Sequence, residues 1–205
     1  MMSADIHDYA LMPFKVVESA LADFDCGRDD IDDFFHNKAQ AYEKAMFGKT
    51  YAFCPNGDPD TIMGAITVAN ASIFTRHLSW RRRDVIGADI EDEKSGQNFP
   101  AVLLGRLGVD KRFQHLHLCP QIIDYVKAWF SSESNKSGCR FLIVDAYNEP
   151  GLVQFYERCG LHLFFTTEEQ EKKYRNIRDR EGEPPAKLET RLMFFDLINY
   201  NKDNI

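Results

Sequence analysis

The apolar pattern of this chain predicts an α+β fold with one central sheet flanked by helices. Three observations carry that expectation. Runs rich in β-branched and aromatic residues recur at 49–54, 61–69, 101–109, 140–147 and 188–197. Between them stand segments whose apolar residues return every three or four positions, the spacing of one helix face. Most connections are short, as expected when strands and helices share one core.

Taken in order, residues 13–18 read as an opening strand. Residues 28–46 read as a helix, because Ile31, Phe34, Phe35, Ala39, Tyr42, Ala45 and Met46 fall on one face. Asp25 or Asp29 is placed to cap its start, and Gly48 stands just past its end. A hairpin follows, with Pro55-Asn56-Gly57-Asp58 as the turn between residues 49–54 and 61–69. Residues 76–98 are polar and read as a long loop with little packing. The strand at 101–109 leads through a short polar turn to an amphipathic helix at about 118–130. A strand at 140–147 and a helix at 149–159 come next, with Gly160 ending the helix and a strand at 161–165. Residues 166–187 are dense in charge and contain Pro184-Pro185, so they read as a solvated excursion or an arm. The last strand is 188–197. No internal repeat or second domain is visible, and the whole of 1–205 reads as one domain.

At 205 residues the chain is long enough to bury a core without disulfides or metals. No apolar run approaches the roughly 18 to 20 residues that span a bilayer, and the first residues lack a basic start and apolar core, so a cytoplasmic protein is expected. Basic residues number 25 and acidic ones 32, a net charge of -7; a surface that tracks a phosphate backbone throughout is normally basic, so generic nucleic-acid binding is disfavoured. Cys26, Cys54, Cys119, Cys139 and Cys159 are odd in number and lack zinc-ligand spacing. They read as reduced thiols, and no metal site is expected.

The stretch 103–163 resembles the acyl-CoA-binding core of the GNAT superfamily of N-acyltransferases. The residues that carry the resemblance are Leu-Gly-Arg-Leu-Gly-Val-Asp ending at Asp110, Arg112-Phe113-Gln114, Val144-Asp145-Ala146-Tyr147-Asn148, and Phe155-Tyr156-Glu157-Arg158-Cys159-Gly160. Phe24-Asp25-Cys26-Gly27 and the closing Thr190-Arg-Leu-Met-Phe-Phe-Asp-Leu197 are similar to a narrower subgroup. That subgroup includes the toxins of toxin–antitoxin pairs that acetylate aminoacyl-tRNA.

The resemblance implies a single-domain GNAT fold whose central sheet is mixed, a CoA-binding core at about 101–165 and acetyl-CoA as co-substrate. Leu107, Gly108 and Val109 would pair their backbone with the pantetheine arm, although Leu107 and Val109 also suit a strand core. A pyrophosphate would sit at the loop before the next helix, where exposed N–H groups and the helix dipole favour an anion. The family pattern there is Gln/Arg-x-x-Gly-x-Gly/Ala, and this chain has Gln114-His115-Leu116-His117-Leu118-Cys119, then Pro120. Both small positions are lost, and a non-glycine residue held at left-handed φ costs roughly 1–2 kcal/mol. His115 and His117 would pair with phosphate when protonated, or else merely cover a disused helix end. Asn148 matches a cofactor-contacting position and equally suits a helix N-cap before Pro150.

Tyr156 stands where many family members place the tyrosine that protonates the CoA sulfur; its plain alternative is packing against Phe155. No general base is evident: Arg106 occupies the strand position of a family glutamate, and Glu149 and Glu157 suit a solvated helix surface. Trp80 and Arg81-Arg82-Arg83 could meet RNA, or lie in a solvated loop. Cys26 has no placed His/Asp partner and reads as a small buried turn residue. Phe34, Phe35 and Tyr42 read as core or interface.

Two functions follow. One is acetyl transfer from acetyl-CoA to an amine-bearing acceptor, a small molecule or aminoacyl-tRNA, with a small antitoxin as partner and a homodimer as the assembly. The other is a non-catalytic binding or assembly protein of the same fold, closed to CoA.

Overall fold

The computed structural model describes residues 5–74, 78, 86, 98–178 and 187–203. Among the described residues seven strands form one mixed sheet: β1 (Tyr9–Pro13), β2 (Lys49–Pro55), β3 (Gly64–Ile73), β4 (Phe99–Val109), β5 (Phe141–Tyr147), β6 (His162–Leu163) and β7 (Thr190–Asp196). Their order is β1-β2-β3-β4-β5-β7-β6. The chain gathers into two compact units, Met1–Asn70 with Leu103–Ser132, and Ala71–Val102 with Glu133–Ile205. β4 gives its first residues to the second unit and the rest to the first.

In the first unit β1 and β2 are antiparallel, with Leu11 opposite Phe53, and β2 and β3 form the expected hairpin, with Tyr51 opposite Ile66. Gly57 takes the positive φ of 86° that the turn requires. The helix α4 (Cys119–Ser131) lies against β2. Tyr51 and Phe53, two apart on a strand, meet Trp129 and Tyr125, four apart on a helix, edge to face at 5.1 and 5.3 Å.

Residues 29–44 form one helical run: α2 (Asp29–Asp33), a π-turn at Phe34–Lys38, and α3 (Ala39–Lys44). The wider turn lets the adjacent Phe34 and Phe35 both enter the core, where Phe35 meets Phe24 edge to face at 5.3 Å. Tyr42, by contrast, is exposed.

Three local expectations are corrected in this unit. Residues 13–18 are not a strand: β1 ends at Pro13, and α1 (Phe14–Val17) follows. Phe14 and Val17 are buried while Val16 is exposed, a three-residue spacing that the β-branched valines disguise. Neither Asp25 nor Asp29 caps the long helix; Arg28 holds the N-cap position without a side-chain bond. Nor does Gly48 end it, because Met46 takes the left-handed turn at φ 58° and Phe47 N–H returns to the Tyr42 carbonyl. Gly48 is small for another reason: a Cβ there would stand 3.0 Å from the Val68 carbonyl oxygen.

In the second unit β5 and β7 are antiparallel in the register Val144 to Met193, and β6 adds at the β7 edge through Leu163 and Met193. Phe141, Phe164 and Phe194 meet edge to face within this core. Arg140 grips Asp196 with two bonds of 2.6 and 2.7 Å at the entry to β5. α5 (Pro150–Arg158) ends at Gly160, φ 80°, as expected, and α7 (Leu197–Asp203) follows β7 without a break.

The charged stretch 166–187 is not simply a solvated excursion. It contains α6 (Glu168–Arg175), N-capped by Thr167 and ended by Asn176 at φ 56°. Glu171 is fully buried there, bonded to Arg191, Arg175 and the Leu192 N–H. Residues 179–186, with the Pro-Pro pair, lie outside the described residues. In the stretch 76–98 Leu78 and Ile86 are buried, so it does pack apolar side chains; Trp80 and Arg81-Arg82-Arg83 lie outside the described residues. No helix among the described residues is long and apolar enough to cross a membrane.

Candidate active site

In the first unit the candidate residues gather at the end of β4. Asp110 N–H donates to the Met63 carbonyl at 2.9 Å, which ties the end of β4 to the entry of β3. Leu107 and Val109 flank Gly108 in the last residues of β4, and the Val109 carbonyl accepts from Gln114 Nε2. Gly108 serves through its missing side chain: a Cβ would stand 3.1 Å from Cys26 Cβ, Cys26 Sγ and Phe24 Cζ. The Phe24-Asp25-Cys26-Gly27 segment lies directly on this strand.

Asp110 is the hub that holds the two together. Its buried carboxylate accepts the Asp25 N–H at 3.2 Å, the Arg112 N–H at 2.9 Å, and the Arg112 guanidinium at 2.8 and 3.0 Å. Burial pushes this carboxyl up, but the Arg112 and Asp25 bonds together outweigh it and hold the group below the ordinary carboxylate range. Lys111 reaches across Gly27 to Asp25 and lowers that carboxyl too. Gly27 allows this through φ 81° and the space its missing Cβ leaves, 2.8 Å from Lys111 Cε.

Gln114 spends its amide on the scaffold. Nε2 donates to the Cys26 and Val109 carbonyls, both at 2.9 Å, tying the loop to both neighbouring segments. Residues Gln114–Leu116 make one 3-10 turn, and His117 then takes φ 54°, ψ 37°. The position where the family pattern has glycine is thus left-handed here as well, with histidine bearing the strain. Leu118 is buried at the N-cap of α4, Cys119 and Pro120 open the helix, and His115 and His117 stand exposed beside it. The left-handed bend at His117 is thus present, His115 and His117 are both exposed, and Pro120 contributes no N–H to the helix start.

Two further residues of this unit are settled. Burial and the Asp32 carboxylate push the Cys26 thiol up to about 12, so it does not supply a thiolate near neutral pH. Arg106 is exposed on β4, its guanidinium 5.2 Å above the Phe34 ring and Nη1 donating to the Gly105 carbonyl at 2.8 Å.

The second unit carries Asn148 and Tyr156. Asn148 is not the N-cap of α5; Glu149 is, without a side-chain bond. Instead Asn148 Nδ2 donates to Glu168 Oε1 and the Leu188 carbonyl, both at 2.8 Å, while its N–H donates to the Glu189 carbonyl. Glu168 also accepts the Leu188 N–H; that bond and the one from Asn148 lower its carboxyl. The end of β5, the start of α6 and the entry to β7 are pinned together in this way.

Tyr156 is half-buried in the last turn of α5, edge to face with Phe155 at 5.3 Å. Leu161 N–H returns to its carbonyl at 3.0 Å, a C-cap that Gly160 makes possible and that fixes the residue bearing the phenol. Glu157 is exposed on the same helix and Glu149 at its start.

Asp110 and Glu168 were missed as organisers. An Asp-x-Arg triplet at a strand end was the available signal for Asp110; Glu168, twenty residues from Asn148, offered none. Among the described residues no group of three His, Cys, Asp or Glu side chains is placed to hold a metal.

No family model and no curated protein sequence matches this chain. Solved structures do. AtaT complexed with acetyl-methionyl-tRNAfMet matches at TM-score 0.68 and 18% identity, over 97% of this chain and 100% of that one. AtaTR bound with AcCoA matches at 0.64 and 18%, over 97% and 99%. The KacTA–DNA complex matches at 0.64 and 19%, over 96% and 98%. This likeness establishes the fold: the chain has the GNAT architecture that its motifs led one to expect.

Proposed function

We propose that this chain is an acetyl-CoA-dependent N-acetyltransferase whose acceptor is the amine of an aminoacyl-tRNA, working as a toxin beside a small antitoxin protein. The observation that carries the reading is the full-length match to AtaT complexed with acetyl-methionyl-tRNAfMet, joined to a tyrosine fixed in the last turn of α5. AtaTR bound with AcCoA supports the co-substrate.

Acetyl-CoA supplies an activated thioester. On this reading the Leu107 backbone and the Val109 N–H hold the pantetheine arm, the Val109 carbonyl being bonded to Gln114, and Gly108 keeps that strand end close to Cys26. His115, Leu116, His117, Leu118 and Cys119 form the pyrophosphate loop, with the two imidazoles as ring N–H donors to the phosphate. Gln114 and Asn148 act through the segments they pin. Tyr156 holds the proton taken up by the sulfur as the acceptor nitrogen forms its bond to the carbonyl carbon and the C–S bond breaks. The nitrogen's own proton leaves to water, since Arg106 stands in the place of a carboxylate base.

Tyr156→Phe tests the assignment. General acid catalysis contributes about 10²–10⁴ in rate, so kcat for N-acetylation should fall by about that factor with acetyl-CoA affinity held within about twofold. Unchanged turnover would remove Tyr156 from the mechanism. The non-catalytic alternative rests on His117 and Pro120 in the phosphate loop, and it predicts no acetyl-CoA binding at all.

A further inference from the structure

The strand position that could have held a base holds a cation, and its surroundings say what it is for. Arg106 is exposed, one residue before Leu107 on β4, on the strand face that also receives Phe24 and Cys26 at Gly108. A guanidinium stays protonated at any working pH, so it cannot accept the acceptor's proton. Its plane lies over Phe34, a ring itself 5% exposed and fixed in the π-turn, and its Nη1 is anchored on the Gly105 carbonyl. Among the described residues no carboxylate pairs with it. The neighbouring helix start is rich in acids, but those whose bonds are described are engaged elsewhere: Asp32 with the Cys26 N–H, and Asp33 with Asn37 and Lys38. A held guanidinium that no described carboxylate neutralises, in a chain of net charge -7, is built to meet an anion from outside, and a planar fork suits a phosphate.

We infer that Arg106 is a specificity-determining residue that grips a phosphodiester of the acceptor nucleotide beside the aminoacyl end. The inference rests on the aminoacyl-tRNA reading above and adds to it the group that recognises the nucleic acid. It also reconciles an acidic chain with an RNA substrate: recognition is local, through one positioned charge, and needs no basic surface.

The test uses two acceptors with the same aminoacyl group on a 3′-amino-3′-deoxyadenosine amide. One is the bare nucleoside; the other continues 5′ through two phosphodiester-linked cytidines. Wild type, Arg106→Gln and Arg106→Lys are compared by acetylation kinetics from 50 to 200 mM salt, with melting temperature confirming that each variant folds. For Arg106→Gln the preference in kcat/KM for the phosphate-bearing acceptor should fall by about tenfold, the scale of one charge-assisted contact. Its salt dependence on that acceptor should flatten by about one single-strand phosphate contact, a log–log slope change near 0.7. Arg106→Lys, which keeps the charge without the fork, should retain the salt slope and recover part of the preference. A preference within twofold of wild type and an unaltered slope in Arg106→Gln would overturn the role of Arg106 while leaving the aminoacyl acceptor intact. Failure of the wild type to acetylate either acceptor would overturn the acceptor reading and this inference with it.

Discussion

Replacing Glu171 by Gln should be among the most damaging isosteric changes in the chain. The side chain is fully buried and its two oxygens meet four donors. Oε2 accepts Arg191 Nε at 2.7 Å, and Oε1 accepts the Leu192 N–H at 2.6 Å and Arg175 Nη2 and Nε at 2.7 and 3.0 Å. An amide offers one oxygen and one NH2, so at least one cluster of donors would face another donor. The Arg191 side chain is 9% exposed, so water does little to compensate its charge. Breaking a buried ion pair by removing one charge costs about 3–5 kcal/mol. At about 2–4 °C per kcal/mol for a chain of this size, the melting temperature should drop by on the order of 10 °C. Chemical denaturation with matched m-values measures the loss directly. The double change Glu171→Met with Arg191→Met should cost less than Glu171→Gln alone, because it leaves no unpaired charge between the two positions. A loss below about 1 kcal/mol for Glu171→Gln, or a double variant as damaged as the sum of both singles, would refute the reasoning.

Two further changes follow from the β4 end. His117→Gly should relieve the left-handed strain and raise stability by about 0.5–1 kcal/mol, the gain from relaxed φ less the extra freedom glycine has when unfolded; if acetyl-CoA binds at this loop, its affinity should change in the same variant while a distant site would leave it alone. Asp110→Asn should cost about 1–2 kcal/mol at pH 7, toward the lower side for a charged hydrogen bond because Arg112 is largely solvated. Since the folded carboxyl of Asp110 lies below its unfolded value, its contribution is complete above about pH 4 and fades as pH falls through the folded value. Denaturation of wild type and Asp110→Asn from pH 7 to 2 should therefore show the two converging at the acid end; a constant gap would contradict the assignment.

Elements held by apolar periodicity were legible in the sequence. Residues 49–54 and 101–109, and the helix at 118–130, appear within a residue or two of β2, β4 and α4 because Tyr51, Phe53, Tyr125 and Trp129 advertise both the period and the partner faces. α6 was not legible, since its buried anchor is a glutamate and the partner that neutralises it lies twenty residues away on β7. α1 was hidden by valines that favour strands, and Gly48 drew attention from Met46 because glycine is the ordinary left-handed residue. At the site, positions were easier to read than roles. His117 fell at the glycine position of the family pattern and does take the left-handed conformation. The resemblance assigns Gln114 and Asn148 to the cofactor, whereas in the structure their amides bond to the protein's own carbonyls and to Glu168, contacts between segments that no local pattern encodes.

The central claim is that a loop with histidine in place of glycine still holds acetyl-CoA. A calorimetric titration of the purified protein with acetyl-CoA, and separately with CoA, tests it most directly. The account predicts saturable one-to-one binding of both at micromolar concentration, about -8 kcal/mol. No heat of binding up to millimolar acetyl-CoA would contradict it and leave the fold as a non-catalytic binding protein.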